Sequence, residues 1–258
     1  MLLTVDIGNT NAVLGVFDDA GTSLATLRIG TRRDATQGEL SLVVSHLCRR
    51  LSGGEASIRR TVVCSVVPSL TRTFAGFVRE ELGHEPAIVS AELDLGIPVS
   101  VDDPREVGAD RIVNAIAARE RVGYPAIVVD LGTATNFDCV DADGAYVGGL
   151  IAPGIETASE DLFRRAARLT KVDLDFPATV IGRNTRDCLR SGILNGAVGM
   201  IDALVDSVRA ELGGQAAVIA TGGLAGLIGP RCRTVDRVED RLTLDGLLLV
   251  DRYLRSRS

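Results

Sequence analysis

Residues 2–30 read LLTVDIGNTNAVLGVFDDAGTSLATLRIG, and residues 126–154 read AIVVDLGTATNFDCVDADGAYVGGLIAPG. Setting Asp6 on Asp130, an offset of 124, matches Val5 with Val129, Gly8 with Gly132 and an acid-Gly turn downstream. In both stretches an apolar run (Leu2–Val5, Ala126–Val129) ends at an aspartate, and a Gly-containing turn follows. Two β-rich segments come next, Asn11–Phe17 and Ser23–Ile29 in the first copy, Asn136–Val140 and Ala145–Ile151 in the second. The turn signals Asp18-Asp19-Ala20-Gly21 and Asp141-Ala142-Asp143-Gly144 join them. Each copy reads as a three-stranded antiparallel meander whose first turn presents backbone amides beside a carboxylate. A repeat of this length means a duplicated domain, because solenoid units run about 20–50 residues.

Helical spacing appears outside the meanders. Gln37–Leu51 repeats apolar residues at Leu40, Val43, Val44, Leu47 and Leu51. Val62–Val67 reads as a buried strand, Ser69–Leu82 as a helix and Ala87–Val89 as a short strand. In the second half Thr185–Glu211 reads as a long helix that Gly192 or Gly196 could break, and Ala216–Ala220 as a strand. Leu242–Tyr253 closes the chain as an amphipathic helix. The order β-β-β-α-β-α-β, twice over, implies an α/β protein with mixed sheets and helices on their faces. Domains are expected at 1–118 and 119–258, and mobile loops at Leu51–Arg60 and Thr170–Thr179.

The chain has 258 residues, 28 basic against 34 acidic, for a net charge of −6. That balance argues against nucleic-acid or anionic-membrane partners. No apolar run approaches the roughly 18 residues of a membrane span. Met1–Asp6 lacks a basic leader region, so a cytoplasmic location is expected. The five cysteines are scattered, which reads as reduced, mostly buried thiols. With only His46 and His84 available, a structural zinc site is not expected. The single lysine, Lys171, lies in Leu-Thr-Lys-Val-Asp, so no P-loop exists and no pyridoxal lysine is supported. There is no GxSxG elbow either. Chemistry is left to carboxylates, backbone amides and hydroxyls.

Four segments could carry it. In Asp6-Ile7-Gly8-Asn9-Thr10-Asn11, an acid at a strand end precedes donors suited to phosphate oxygens, and the carboxylate could hold hydrated Mg²⁺. A plain hairpin turn would use the same residue types. Asp130-Leu131-Gly132-Thr133-Ala134-Thr135-Asn136 repeats the design with more hydroxyls, and duplication of the acid favours phosphate binding by the pair. Ala220-Thr221-Gly222-Gly223-Leu224, after a strand, lets a backbone approach a ligand closely. Asp103-Pro104-Arg105-Glu106 is a helix start, which leaves Gly108 and the Asp110-Arg111 pair unexplained. Asp110 could be a base toward an alcohol, or one half of a surface ion pair.

Together these segments resemble the type III pantothenate kinases, in the superfamily of acetate and sugar kinases, actin and heat-shock ATPases. The likeness runs through DIGNTN at 6–11, DPREVGADRIVNA at 103–115, VDLGTATNFD at 129–138, GGLIAPGI at 148–155, IGRNT at 181–185, ATGGLA at 220–225 and LTLDGL at 242–247. GADR is particular to the family, whereas the DxGxT turns are shared by the superfamily.

The resemblance implies two duplicated ribonuclease-H-like domains, each a five-stranded mixed sheet flanked by helices, with ATP in the cleft between them. It implies a first ATP-binding segment of Asp6, Ile7, Gly8, Asn9, Thr10, Asn11, Ala12 and Val13, with Asp6 near Mg²⁺ through water. Thr133, Gly222 and Gly223 would contact ATP, and Asp130 would ligate K⁺ or NH₄⁺. Gly108, Ala109, Asp110 and Arg111 would line the pantothenate site, with Asp110 as general base and Thr185 a contact near a homodimer interface. The activity implied is ATP-dependent phosphorylation of pantothenate to 4'-phosphopantothenate, the first step of coenzyme A synthesis. Two positions depart from the pattern. Val101 stands where a substrate-contacting Tyr is usual, and Asn136 where the second turn usually has Thr. The alternatives are a weakly active or inactive homologue acting as a regulatory protein, and a kinase for another small alcohol.

Overall fold

The computed structural model describes residues 1–51, 57–90, 93–166 and 169–257. The first meander is β1 (Leu2–Ile7), β2 (Asn11–Phe17) and β3 (Ser23–Gly30), followed by α1 (Gln37–Arg49), β4 (Arg60–Ser65), α2 (Pro68–Phe77) and β5 (Ala87–Ile88). A π-helical turn, Val78–Leu82, prolongs α2, and α3 (Ala109–Val122) comes after β5. The second meander is β6 (Ala126–Leu131), β7 (Ala134–Val140) and β8 (Tyr146–Pro153). It leads to α4 (Ile155–Arg165), α5 (Thr185–Glu211), β9 (Ala217–Thr221), α6 (Ala225–Ile228), β10 (Arg237–Val238) and α7 (Leu242–Ser256).

Two five-stranded sheets result, ordered β3-β2-β1-β4-β5 and β8-β7-β6-β9-β10. In each, the meander is antiparallel and the later strands add in parallel. The expected duplicated mixed sheets are both present. The likeness extends to single hydrogen bonds: Asp18 Oδ1 accepts from the Thr22 amide at 2.7 Å, and Asp141 Oδ1 from the Ala145 amide at 2.9 Å. A bulge interrupts the outer pairing at Val16/Phe17 and again at Cys139/Val140.

The single offset of 124 needs correction. It holds from β1 to β6, but Asp6 pairs with Val13 while Asp130 pairs with Asn136, so the offset is 123 from β2 onward. One residue is missing from the second turn. The alignment of Gly8 with Gly132 draws attention from it, although Gly21 and Gly144 in the downstream turns are already 123 apart.

Alternation along the strands sorts their faces. Leu3, Val5, Ile7, Leu14 and Val63 pack with Leu40, Val44, Leu47, Leu70 and Phe74 of α1 and α2. Each such buried aliphatic contributes roughly 1.5–3 kcal/mol. An apolar cavity of about 500 Å³ opens on this same side, between the sheet and α1. In the second sheet Ile127, Val129, Leu131 and Phe137 pack with Leu194, Ile201 and Val205 of α5. The opposite faces carry the acids: Thr4 and Asp6 in one sheet, Asp130 and Asp138 in the other.

The chain divides into two compact units. One comprises Met1–Ile97, Asp102–Ala117 and Thr243–Ser258, the other Pro98–Val101 and Ala118–Leu242. The collinear domains expected at 1–118 and 119–258 therefore differ from these units at the C-terminus and at Pro98–Val101. α7 packs in the first unit, where Asp251, 4% exposed, is held by Arg60 at 3.1 Å and Arg255 at 3.0 Å. The Arg60 contact, 191 positions away, leaves no local signal.

Other expectations shift more modestly. α5 runs unbroken through Gly192 and Gly196. Among the described residues it is the one helix long and apolar enough to cross a membrane by length and composition, contrary to the reading of its apolar runs. Its buried residues line the core of the second unit. α4 was not expected; its Asp161 pairs with Arg165 at 2.6 Å, and with only Ile155 and Ser159 buried it has few apolar residues to signal a helix. Of the loop expected at Leu51–Arg60, residues 52–56 lie outside the described residues and Arg60 already belongs to β4. Thr170–Thr179 has neither helix nor strand.

Candidate active site

In the first unit, the turn after Asp6 is closed by the Gly8 amide donating to the Asn11 carbonyl at 2.9 Å. Thr31, just past β3, clamps it twice: its amide donates to the Thr10 carbonyl at 2.9 Å and its hydroxyl to the Gly8 carbonyl at 2.7 Å. Asn9 and Thr10 are exposed at the tip, and Arg33 reaches the Asn9 side chain at 3.4 Å. Ala12 and Val13 already belong to β2, with Ala12 buried in the core.

Asp6 lies opposite Cys64 in the parallel register of β1 and β4. The Cys64 thiol is fully buried, and burial followed by the charges of Asp6 and Asp110 pushes its pKa well above the usual thiol range. One buried sulfur thus senses both the turn carboxylate and the carboxylate of α3. Nothing in the sequence alone points to Cys64; its place follows from strand pairing.

Asp103 caps only a short 3-10 turn, Pro104–Glu106, accepting from the Arg105 amide at 3.0 Å. The helix starts afresh at Ala109, which accounts for the glycine at 108 and the acid at 110. Asp110 Oδ1 accepts from the Arg111 amide at 3.0 Å and folds back over Gly108, where a Cβ would lie 2.5 Å from it. Burial raises the Asp110 pKa above the ordinary carboxylate range, against the opposing pull of the Arg111 amide and guanidinium. A partly desolvated carboxylate is a stronger base than a surface one.

In the second unit, the turn after Asp130 is closed by the Gly132 amide donating to the Ala134 carbonyl at 3.0 Å. Thr133 is exposed, and its carbonyl accepts from the Thr157 hydroxyl of α4 at 2.8 Å. Asp130 sits between Asn136 on β7 and Thr221 on β9. The Thr221 hydroxyl is engaged with the Glu239 carbonyl at 2.8 Å. Gly222 adopts φ +93°, and a Cβ there would lie 2.5 Å from Asp130 Oδ1. The carboxylate therefore occupies a cradle that only glycine leaves open. Gly223 is exposed beyond it.

These oxygen-rich surroundings fit a hard cation at Asp130 and hydrated Mg²⁺ at Asp6. Among the described residues no cluster of three His, Cys, Asp or Glu side chains could close a metal cage. Mg²⁺ held by one carboxylate, phosphates and water needs none.

The remaining expected residues are dispersed. Val101 lies in the second unit, where Ser100 donates to the Tyr146 carbonyl at 2.8 Å and Val101 faces Gly148. Ala109 is buried at the start of α3 in the first unit, beside Gly108, Asp110 and Arg111. Thr185 is exposed at the first turn of α5, capped by Asn184, close in sequence to exposed Val180 and Ile181.

Comparison with known proteins decides the family. The model of type III pantothenate kinases matches residues 2–207. The chain belongs to that family. A type III pantothenate kinase of Moorella thermoacetica is 46% identical over 97% of this chain and 98% of its own. One of Thermomicrobium roseum is 50% identical over 96% and 95%. The fold is shared more widely. Component A of (R)-2-hydroxyglutaryl-CoA dehydratase from Acidaminococcus fermentans superposes with a TM-score of 0.57 at 13% identity, covering 100% of this chain and 99% of that one. The family's duplicated ribonuclease-H-like architecture is thus present at full length, and the two acid turns occupy equivalent places in its two copies.

Proposed function

We propose that this protein transfers the γ-phosphoryl group of ATP to the primary alcohol of pantothenate, giving 4'-phosphopantothenate at the start of coenzyme A synthesis. Family membership over nearly the full chain supports the reaction, and the carboxylates of Asp6 and Asp110 around Cys64 support its placement. Phosphoryl transfer asks the protein for alignment and charge neutralisation more than covalent work. Asp110 takes the alcohol proton as the oxygen attacks; Gly108, Ala109, Arg111, Val101 and Thr185 shape the pantothenate site. Within the segment Asp6 to Val13, the exposed turn at Asn9 and Thr10 presents donors to phosphate oxygens, and Thr133, Gly222 and Gly223 contact the nucleotide.

Mg²⁺, when bound with ATP, neutralises charge developing on the phosphates. Asp6 would hold Mg²⁺ through water, and Asp130 would hold the monovalent cation, K⁺ or NH₄⁺, that would add positive potential in a chain without a P-loop lysine. We further read the protein as a cytoplasmic homodimer acting on these small molecules, without nucleic-acid or membrane partners; exposed Val180 and Ile181 beside Thr185 support the dimer.

The deciding experiment is ADP release from Mg-ATP with pantothenate in matched K⁺ and Na⁺ buffers. Pantothenate-dependent turnover that requires K⁺ is expected. Turnover in both buffers would keep the kinase and remove the cation role of Asp130. Absence of turnover in either, with ATP still bound, would overturn the activity.

A further inference from the structure

The sheet face that carries Asp6 and Cys64 is the one that α7 reaches. In its first turn, Thr243 donates its hydroxyl to the side-chain oxygen of Asn114 on α3 at 2.8 Å. Asn114 is 1% exposed, so this amide is buried in the helix interface. Three residues on, Gly246 approaches the α3 backbone so closely that a Cβ would lie 2.5 Å from the Val113 carbonyl oxygen. Between them Leu244 packs on β2, where a Cβ at Gly15 would lie 3.1 Å from its Cδ1. One helical turn thus grips α3 at two successive residues and also the strand that leaves the first acid turn. Asn114 follows Asp110 by four residues, on the same face of α3.

We propose that Thr243 and Asn114 are positioning residues, through which the C-terminal helix fixes the rotation of α3 and so holds Asp110 in register with the Asp6 turn. The proposal rests on the reading of Asp110 as base. Its physical content is simple. A hydrogen bond buried one turn below a carboxylate fixes the helix azimuth better than apolar packing, which tolerates sliding. Arg111 on its own helix pulls on Asp110, Cys64 on β4 senses both Asp110 and Asp6, and the gripping turn of α7 carries a carboxylate of its own, Asp245. Removing the Thr243 hydroxyl takes away no charge and leaves Asp245 in place, so the change acts on geometry first.

The test compares Thr243→Val, which removes the donor at similar volume, with Thr243→Ser, which keeps it. Steady-state kinetics are measured across pH, with thermal unfolding in parallel. T243V is expected to lower kcat about tenfold, since small misplacements of a reacting group are costly. The KM for ATP should stay within about twofold, and the acid limb of the profile should move to lower pH as Asp110 gains water. T243S should recover most of the loss. In an Asp110→Asn background, T243V should cause no further loss, because both changes act through one group. A T243V enzyme with unchanged kcat and pH profile but lower melting temperature would overturn the proposal, as would a full additional loss in the D110N background. If T243V does not accumulate folded, Thr243→Ala carries the same comparison. D110N with near-normal turnover would sink the base reading and this proposal together; inactive D110N beside unaffected T243V would sink this proposal alone.

Discussion

The two acid turns start from the same sequence plan and are held in different ways. The first has three residues between its strands and the second two. The first is clamped by Thr31, through its amide and hydroxyl. At the offset of the later strands, the residue equivalent to Thr31 is Gly154, and there the contact is backbone on backbone. A Cβ on Gly154 would fall inside the van der Waals radius of the Thr133 carbonyl oxygen. One copy therefore uses a side chain to hold its turn, whereas the other removes the side chain so that the start of α4 can press against it. The copies differ in their chemical company too. The Asp6 turn shares its unit with Asp110, while the Asp130 turn is surrounded by Asn136, Thr221 and Gly222. On the function proposed above, duplication supplied two similar phosphate turns, and divergence placed the proposed base beside one and the proposed cation cradle at the other.

The largest expected effect breaks the first half of that contrast. Asp110→Asn should leave ATP binding intact and lower turnover by about 10³, within the range for losing a general base. Its stability should move the other way. The folded carboxyl has a raised pKa, so between the unfolded value and the folded one the native state binds more protons, and stability falls as pH rises through that window. At neutral pH the charged Asp110 therefore costs stability, and D110N should melt no lower than the parent. Reduced turnover accompanied by a lower melting temperature would point to a structural aspartate instead.

Gly154→Ala addresses the second copy. Its backbone lies in an ordinary extended region, φ −65° and ψ 147°, so alanine is conformationally allowed and only the carbonyls of Thr133 and Gly132 stand in its way. Displacing that turn by even part of an ångström should lower kcat/KM for ATP by about tenfold or more. The mirror change in the first copy, Thr31→Gly, would test the converse. It should loosen the Asp6 turn by losing the hydroxyl, without any clash.

Most of this architecture was legible in the sequence, and the exceptions share a cause. The meanders, acid turns and GADR element are local patterns, and period-two alternation places Asp6 and Asp130 on the faces opposite the apolar cores. The missing residue of the second turn was legible only as a change of offset, 124 at Gly8 and Gly132 against 123 at Gly21 and Gly144, and the strand register places it in the turn. The return of α7 to the first unit was not legible, since it depends on Arg60 meeting Asp251 across 191 positions. Cys64 escaped for the same reason, since only the pairing of β4 with β1 brings it beside Asp6. Asn136 was visible as a departure from the family pattern, but its position directly across from Asp130 emerges only from the register.

The smallest effect compares the two hydroxyl clamps directly. Thr31 and Thr157 donate to turn carbonyls at nearly equal distances, 2.7 and 2.8 Å, yet the first bond is partly buried and the second exposed. Valine at position 31 leaves the Gly8 carbonyl short of a partner where water enters poorly, at a cost of about 1 kcal/mol. If that loss falls on the bound state, the KM for ATP rises about fivefold. Valine at 157 leaves the Thr133 carbonyl open to solvent, which replaces the lost donor, so its KM should stay within about twofold of the parent. Equal changes in the two variants would mean that burial does not distinguish the clamps. A larger change at Thr157 would mean that the second turn, despite its packing on Gly154, is the one whose hydroxyl support the nucleotide feels.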